Sequence, residues 1–152
     1  MDKLTPKETS KGAEEIVLTQ IKQDFITPAN AIFDYVDMVE KVLNDAELTS
    51  EDEIAQIKSS CNHLIDQYEV AFVQNTGINA ESSKKTPEEY SELRHNLRTP
   101  LNAIIGYSEI LMEDYEDDLE ETAIEDFQQI INLARETEKA IETFVDYIRG
   151  EA

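Results

Sequence analysis

Residues 93–104 read Leu93-Arg94-His95-Asn96-Leu97-Arg98-Thr99-Pro100-Leu101-Asn102-Ala103-Ile104, and 72 residues earlier the chain reads Ile21-Lys22-Gln23-Asp24-Phe25-Ile26-Thr27-Pro28-Ala29-Asn30-Ala31-Ile32. Thr, Pro, Asn, Ala and Ile coincide, and Tyr35 matches Tyr107 further on. The likeness extends in both directions as an apolar ladder. Leu18, Ile21, Phe25, Ala29, Ile32, Val36, Val39 and Leu43 step by three and four residues, and so do Tyr90, Leu93, Leu97, Leu101, Ile104, Ser108, Leu111 and Tyr115 at the same offset. That spacing is the stripe of a helix facing a bundle core, and its return at a fixed offset marks a repeat.

Each long helix is followed by a shorter amphipathic run. The first carries Ile54, Ile57, Cys61, Leu64, Tyr68 and Phe72, and the second Phe127, Ile130, Ala134, Ile141, Phe144 and Ile148. Ser50 with Glu53, Thr122 with Glu125, and Thr86 with Glu89 have the spacing of capping boxes at helix starts. The stretch 74–85 holds Gly77 and a Ser-Ser-Lys-Lys run and reads as a linker. Short connections make neighbouring helices antiparallel, and a lone hairpin leaves an apolar seam uncovered. The predicted fold is all-α, an antiparallel four-helix bundle of two tandem helical hairpins forming an intramolecular pseudodimer. Its parts are a flexible tail at 1–13, a first hairpin at 14–73, the linker at 74–85 and a second hairpin at 86–150. A monomer is expected, with one core, as suits a chain of 152 residues.

A charged fraction of 31% against 40% apolar fits a thin bundle with a narrow core and a large solvated surface. The net charge of −21 excludes the basic footprint that nucleic acid or an anionic membrane surface demands. Cys61 has no second cysteine for a disulfide or a zinc site, so a reducing cytoplasm is the expected compartment. The longest apolar run, Val70 to Val73, is far short of a membrane span, and Met1 to Pro6 lacks the apolar stretch of a signal peptide.

The run His95-Asn96-Leu97-Arg98-Thr99-Pro100-Leu101-Asn102-Ala103-Ile104-Ile105-Gly106-Tyr107-Ser108-Glu109 resembles the H-box of the dimerisation and histidine phosphotransfer domain of sensor histidine kinases. Through the repeat, the resemblance covers most of residues 14–150. It implies that His95 is the phosphoacceptor, that Arg98 and Pro100 support it, and that Thr99 orients water when a receiver is dephosphorylated. The sequence departs from the family in two places. The family carries an acid directly after the histidine, where this chain has Asn96; an amide accepts no proton at neutral pH, which argues against ATP-dependent autophosphorylation but leaves phosphoryl exchange with a receiver aspartate open. In the first half Gln23 stands at the acceptor position, followed by Asp24, and Ile26 replaces the arginine, while Thr27 and Pro28 persist. Glutamine forms no phosphoramidate, so the first hairpin is the degenerate, structural partner.

The residues themselves agree with that role. His95 lies two positions from the ladder residues Leu93 and Leu97, about 200° around a helix, and so faces solvent. An imidazole in water is mostly neutral at pH 7, leaving one ring nitrogen free to attack phosphorus. With no phosphate-binding loop in the chain, the phosphoryl group must come from a partner. That partner is a response-regulator receiver domain docking beside His95 on the third and fourth helices, or a histidine kinase ATP-binding domain in trans or downstream. Magnesium is expected on the partner, with no cofactor or metal bound by this chain. Two readings stand beside phosphotransfer: a non-catalytic scaffold for receiver docking or signal transmission, and a fragment of a larger sensor kinase.

Other features read more plainly. Pro28 and Pro100 either kink continuous helices or, with Thr27 and Thr99 as caps, start new ones. Arg94 and Arg98 either contact a phosphoryl group or form surface ion pairs. His63 reads as a helix-surface residue. The acids from Glu113 to Glu121 lack the register of a calcium loop and read as a solvated hairpin end. No serine has a partner histidine placed for nucleophilic catalysis.

Overall fold

The computed structural model describes residues 6–150, with side chains from Gly12 onward. It is an all-α four-helix bundle of α1 (Pro6–Asp45), α2 (Glu51–Asn75), α3 (Pro87–Tyr115) and α4 (Glu121–Arg149), with a single 3₁₀ turn at Gly77–Asn79 between α2 and α3. Helix α1 opens at Pro6, within the stretch read as a flexible tail; residues 1–5 of that stretch lie outside the described residues. Among the described residues no helix is long and apolar enough to cross a membrane.

Packing runs α1 to α4, α2 to α3, α3 to α4 and α1 to α2, so the helices stand in a ring with α1 diagonal to α3. Both hairpin turns lie at one end, where the Tyr115 hydroxyl donates to the Thr49 carbonyl. At the other end the Lys84 ammonium and the Tyr90 hydroxyl donate to the Ile148 carbonyl, tying the linker and the start of α3 to the end of α4. One core draws on all four helices.

The two hairpins bury corresponding positions. Phe25, Pro28, Ala29, Ile32, Val36 and Val39 of α1 are buried, as are Leu97, Pro100, Leu101, Ile104, Ser108 and Leu111 of α3. In α2 the buried set is Ile54, Ile57, Cys61, Leu64, Tyr68, Ala71 and Asn75. Each has a buried counterpart 73 residues later, in Phe127, Ile130, Ala134, Thr137, Ile141, Phe144 and Ile148. The offset thus grows by one residue between the long helices and the shorter ones, which places an extra residue around the second turn. Cys61 is buried, and burial pushes its thiol up to about 12.

Pro28 and Pro100 both lie inside unbroken helices, so neither Thr-Pro pair starts a helix. The Thr86–Glu89 capping box forms in full. The other two do not. Ser50 occupies the N-cap of α2, but its hydroxyl makes no capping bond. Thr122 sits within α4, whose N-cap is Glu120, because the helix must begin early enough to turn Ala123 into the core.

Ser108 is fully buried, its hydroxyl has no hydrogen-bond partner among the described residues, and Val36 holds the matching position of α1. An unsatisfied buried hydroxyl is costly, so Ser108→Val is expected to raise unfolding stability by about 1 kcal/mol, read from the midpoint of urea denaturation. The Glu89 carboxylate accepts from the Thr86 amide, which with the Thr86 hydroxyl holds its pKa below the ordinary 4.5. A depressed acid contributes stability that is present above its unfolded value and lost as pH falls through the folded one. Wild type should therefore exceed Glu89→Gln in stability by a constant margin above pH 4.5, and that margin should shrink at more acid pH.

Candidate functional site

His95 stands exposed on α3, one helical turn before Thr99, whose hydroxyl donates to the His95 carbonyl at 2.9 Å. That bond commits the Thr99 proton, so the hydroxyl oxygen presents acceptor lone pairs to its surroundings. Pro100 has no amide hydrogen to give the Asn96 carbonyl, one turn back, so the helix ladder is opened beside the histidine. Asn96 and Thr99 are exposed, and Pro100 is buried.

Two different walls flank His95. On the α4 side, Arg94 Nε lies 2.9 Å from Glu142 Oε2, and Arg98 lies 3.6 Å from Glu138 and 3.7 Å from Glu142. Both arginines are thus engaged with acids of the neighbouring helix. The Arg94 Nε contact is an ion pair without hydrogen-bond alignment, since neither that nitrogen nor Glu142 Oε1 has a hydrogen-bond partner among the described residues.

On the α2 side, Asn96 and Thr99 form one wall of an open cleft of about 350 Å³, and His63 and Gln67 form the other. The same groove continues toward the linker as a cleft of about 430 Å³ over Leu93 and Leu97, with Val70, Asp66 and Lys85 at its edge. Sequence reasoning took His63 for a helix-surface residue. It is exposed, but the antiparallel pairing of α2 and α3 sets it across from Asn96. The signal was available, because His63 and Asn96 lie almost equally far in sequence from Ala80, the middle of the connection that folds α2 back against α3.

The matching positions of the first hairpin make a different surface. Gln23, Asp24 and Thr27 are exposed on α1 and Pro28 is buried. Gln23 borders a shallow cleft with Lys22 and Phe72, and the Lys22 ammonium sits 5.6 Å above the Phe72 ring. Asp24 faces α4 across a cleft bordered by Glu136, Lys139 and Ala140. Among the described residues no group of three or more histidines, cysteines and carboxylates is arranged to hold a metal.

Residues 88–152 match the family model of the His Kinase A (phospho-acceptor) domain. The matched segment, which holds nearly all of α3 and α4, is thus similar to a domain type that serves phosphotransfer and dimerisation in two-component systems alongside kinase and receiver partners. No curated protein and no solved structure matches the chain.

The Arg98 side chain is 42% exposed, and an ion pair that open is worth only about 0–1 kcal/mol. Arg98→Ala should therefore lower unfolding stability by less than about 1 kcal/mol, measured by chemical denaturation in low salt.

Proposed function

We propose that this chain is a histidine phosphotransfer module in which His95 accepts a phosphoryl group and passes it on, within a bundle whose first hairpin is a degenerate copy of the second. The observation that carries this reading is the exposed His95 on the matched segment, set against an exposed Gln23 at the corresponding position of α1. The burial pattern supports duplication, since the same core positions recur in order along both hairpins. The losses in the first copy are also paired. Where the second hairpin has the Arg98–Glu138 contact, the first has Ile26 and Ile65, both packed against the core. In this reading an arginine and its acid have been lost together, and apolar side chains stand where the second copy keeps charge.

In transfer, a lone pair on a His95 ring nitrogen attacks the phosphorus of an aspartyl phosphate on a receiver domain. The new N–P bond forms as the P–O bond to the carboxyl breaks, and the receiver recovers its carboxylate. A magnesium ion on the receiver neutralises the oxygens of the moving group. Asn96 and Thr99 border the acceptor, Arg98 and Pro100 support the turn that carries it, and Asp24 and Thr27 are relics in the first copy. A receiver docking against α3 and α4 meets His95 together with the Arg94 and Arg98 ion pairs. Where ATP is the ultimate source, a kinase ATP-binding domain acts in trans or from a following segment. A reducing cytoplasm suits a fold whose lone thiol is shut inside the core.

Incubation with radiolabelled phosphoramidate, or with a panel of receiver domains labelled by acetyl phosphate, tests this directly. The expected result is an acid-labile label on His95 that His95→Gln reduces to background. Label that persists in His95→Gln, or that maps to His63, contradicts the assignment.

A further inference from the structure

The seams between neighbouring helices differ in what lines them. Ion pairs cross the α1–α2 seam, where Lys58 meets Glu40 and Asp37, and the α3–α4 seam, where Arg94 and Arg98 meet Glu138 and Glu142. At the α1–α4 seam Asp24, Glu136 and Lys139 border a cleft of about 280 Å³. The α2–α3 seam is lined instead by hydroxyls, amides, one imidazole and apolar carbons, with Ser59, His63 and Gln67 on one wall and Asn96, Pro100 and Ala103 on the other. Its floor toward the linker is Leu93 and Leu97, and the charged residues along it, Asp66 and Lys85, stand at that end. On a chain in which 31% of residues are charged, so long a strip with so little charge is a surface suited to contact.

Large apolar side chains mark both ends of the groove. Val70 of α2 borders it near the linker and is 55% exposed. Ile110 of α3 is 44% exposed and lies two turns beyond Ala103 on the same side of the helix. From Leu93 to Ile110 the groove runs about 26 Å, the length of a helix of about 17 residues. Acids stand around it. Asp66 and Glu92 are exposed on its two shoulders, Asp114 is exposed one turn beyond Ile110, and the whole chain carries a net charge of −21. A helix with an apolar stripe and lysine- or arginine-rich flanks complements both the groove and the field around it, whereas an acidic segment is repelled.

We propose that the α2–α3 groove is the docking seat for a basic amphipathic helix of a partner protein. The apolar stripe of that helix lies along the groove between Val70 and Ile110, and its basic flanks meet Asp66, Glu92 and Asp114. A helix seated there covers Asn96 and Thr99 and leaves the Arg94 and Arg98 side of His95 open. The seat is therefore separate from the α3–α4 face at which a receiver is placed above, and its occupant is a different partner. One wall comes from each hairpin, so the seat exists only in the closed bundle.

The test uses the whole chain and a fluorescein-labelled helical peptide of leucine and lysine, about 18 residues long with its leucines in one stripe, read by fluorescence anisotropy at physiological salt. Wild type should bind it saturably at one peptide per chain. The double variant Val70→Gln with Ile110→Gln changes exposed positions and no charge, and should bind about 10-fold more weakly. Met38→Gln, at the exposed position of α1 that matches Ile110, should bind as wild type does. A peptide of the same composition with its stripe scrambled, and one with glutamate in place of lysine, should each lose at least about 10-fold in affinity. No saturable binding by wild type, equal binding of either control peptide, undiminished affinity in the double variant, or an equal loss in Met38→Gln overturns the proposal.

Discussion

Tyr68 of α2 stacks on Phe25 of α1 with ring centroids 3.6 Å apart and meets Phe144 of α4 at 5.0 Å, so one buried aromatic cluster stitches the first hairpin to the second. Each large side chain buried in this way stabilises the fold by roughly 1.5–3 kcal/mol, against a chain entropy of comparable total size. Phe25, Tyr68 and Phe72 come from the first hairpin, and Phe144 is the ring that the second contributes. The surface chemistry depends on this closure, because α3 presents His95 to water only while its opposite face is covered by helices of the other half. The same closure brings α2 against α3 and so creates the cleft that Asn96 and His63 share.

The architecture was legible because a bundle core is written in the spacing of apolar residues, and the two ladders kept that spacing through both prolines. Pro28 and Pro100 are buried within continuous helices, so the unbroken phase of the stripe was a better guide than the helix-starting habit of Thr-Pro. Helix ends were less legible. Thr86 caps α3 as its spacing suggests, whereas Thr122 lies inside α4, since burial of Ala123 overrides a local hydroxyl and carboxylate pattern. The shift of register between the long and short helices was hidden too, because one extra residue in a solvated turn leaves no mark on composition.

At the site, exposure of His95 followed from its angle on the helix, and Arg94 and Arg98 resolved into ion pairs with α4 once that helix was in place. What single-helix reasoning could not deliver was the partner across the groove. The place of His63 depends on which helices are neighbours in the ring and on the register of an antiparallel pair. Neither is a property of the segment around it. At the offsets that relate the two hairpins, Ile26 and Ile65 stand where Arg98 and Glu138 stand in the other half.

The account depends on closure within one chain, and the particle mass in solution tests that most directly. Light scattering on the purified chain across a range of concentrations should give a constant 17.3 kDa, the mass of one chain. A concentration-independent mass of two chains would mean that the seam is covered by another copy, and would contradict a bundle completed by its own first hairpin.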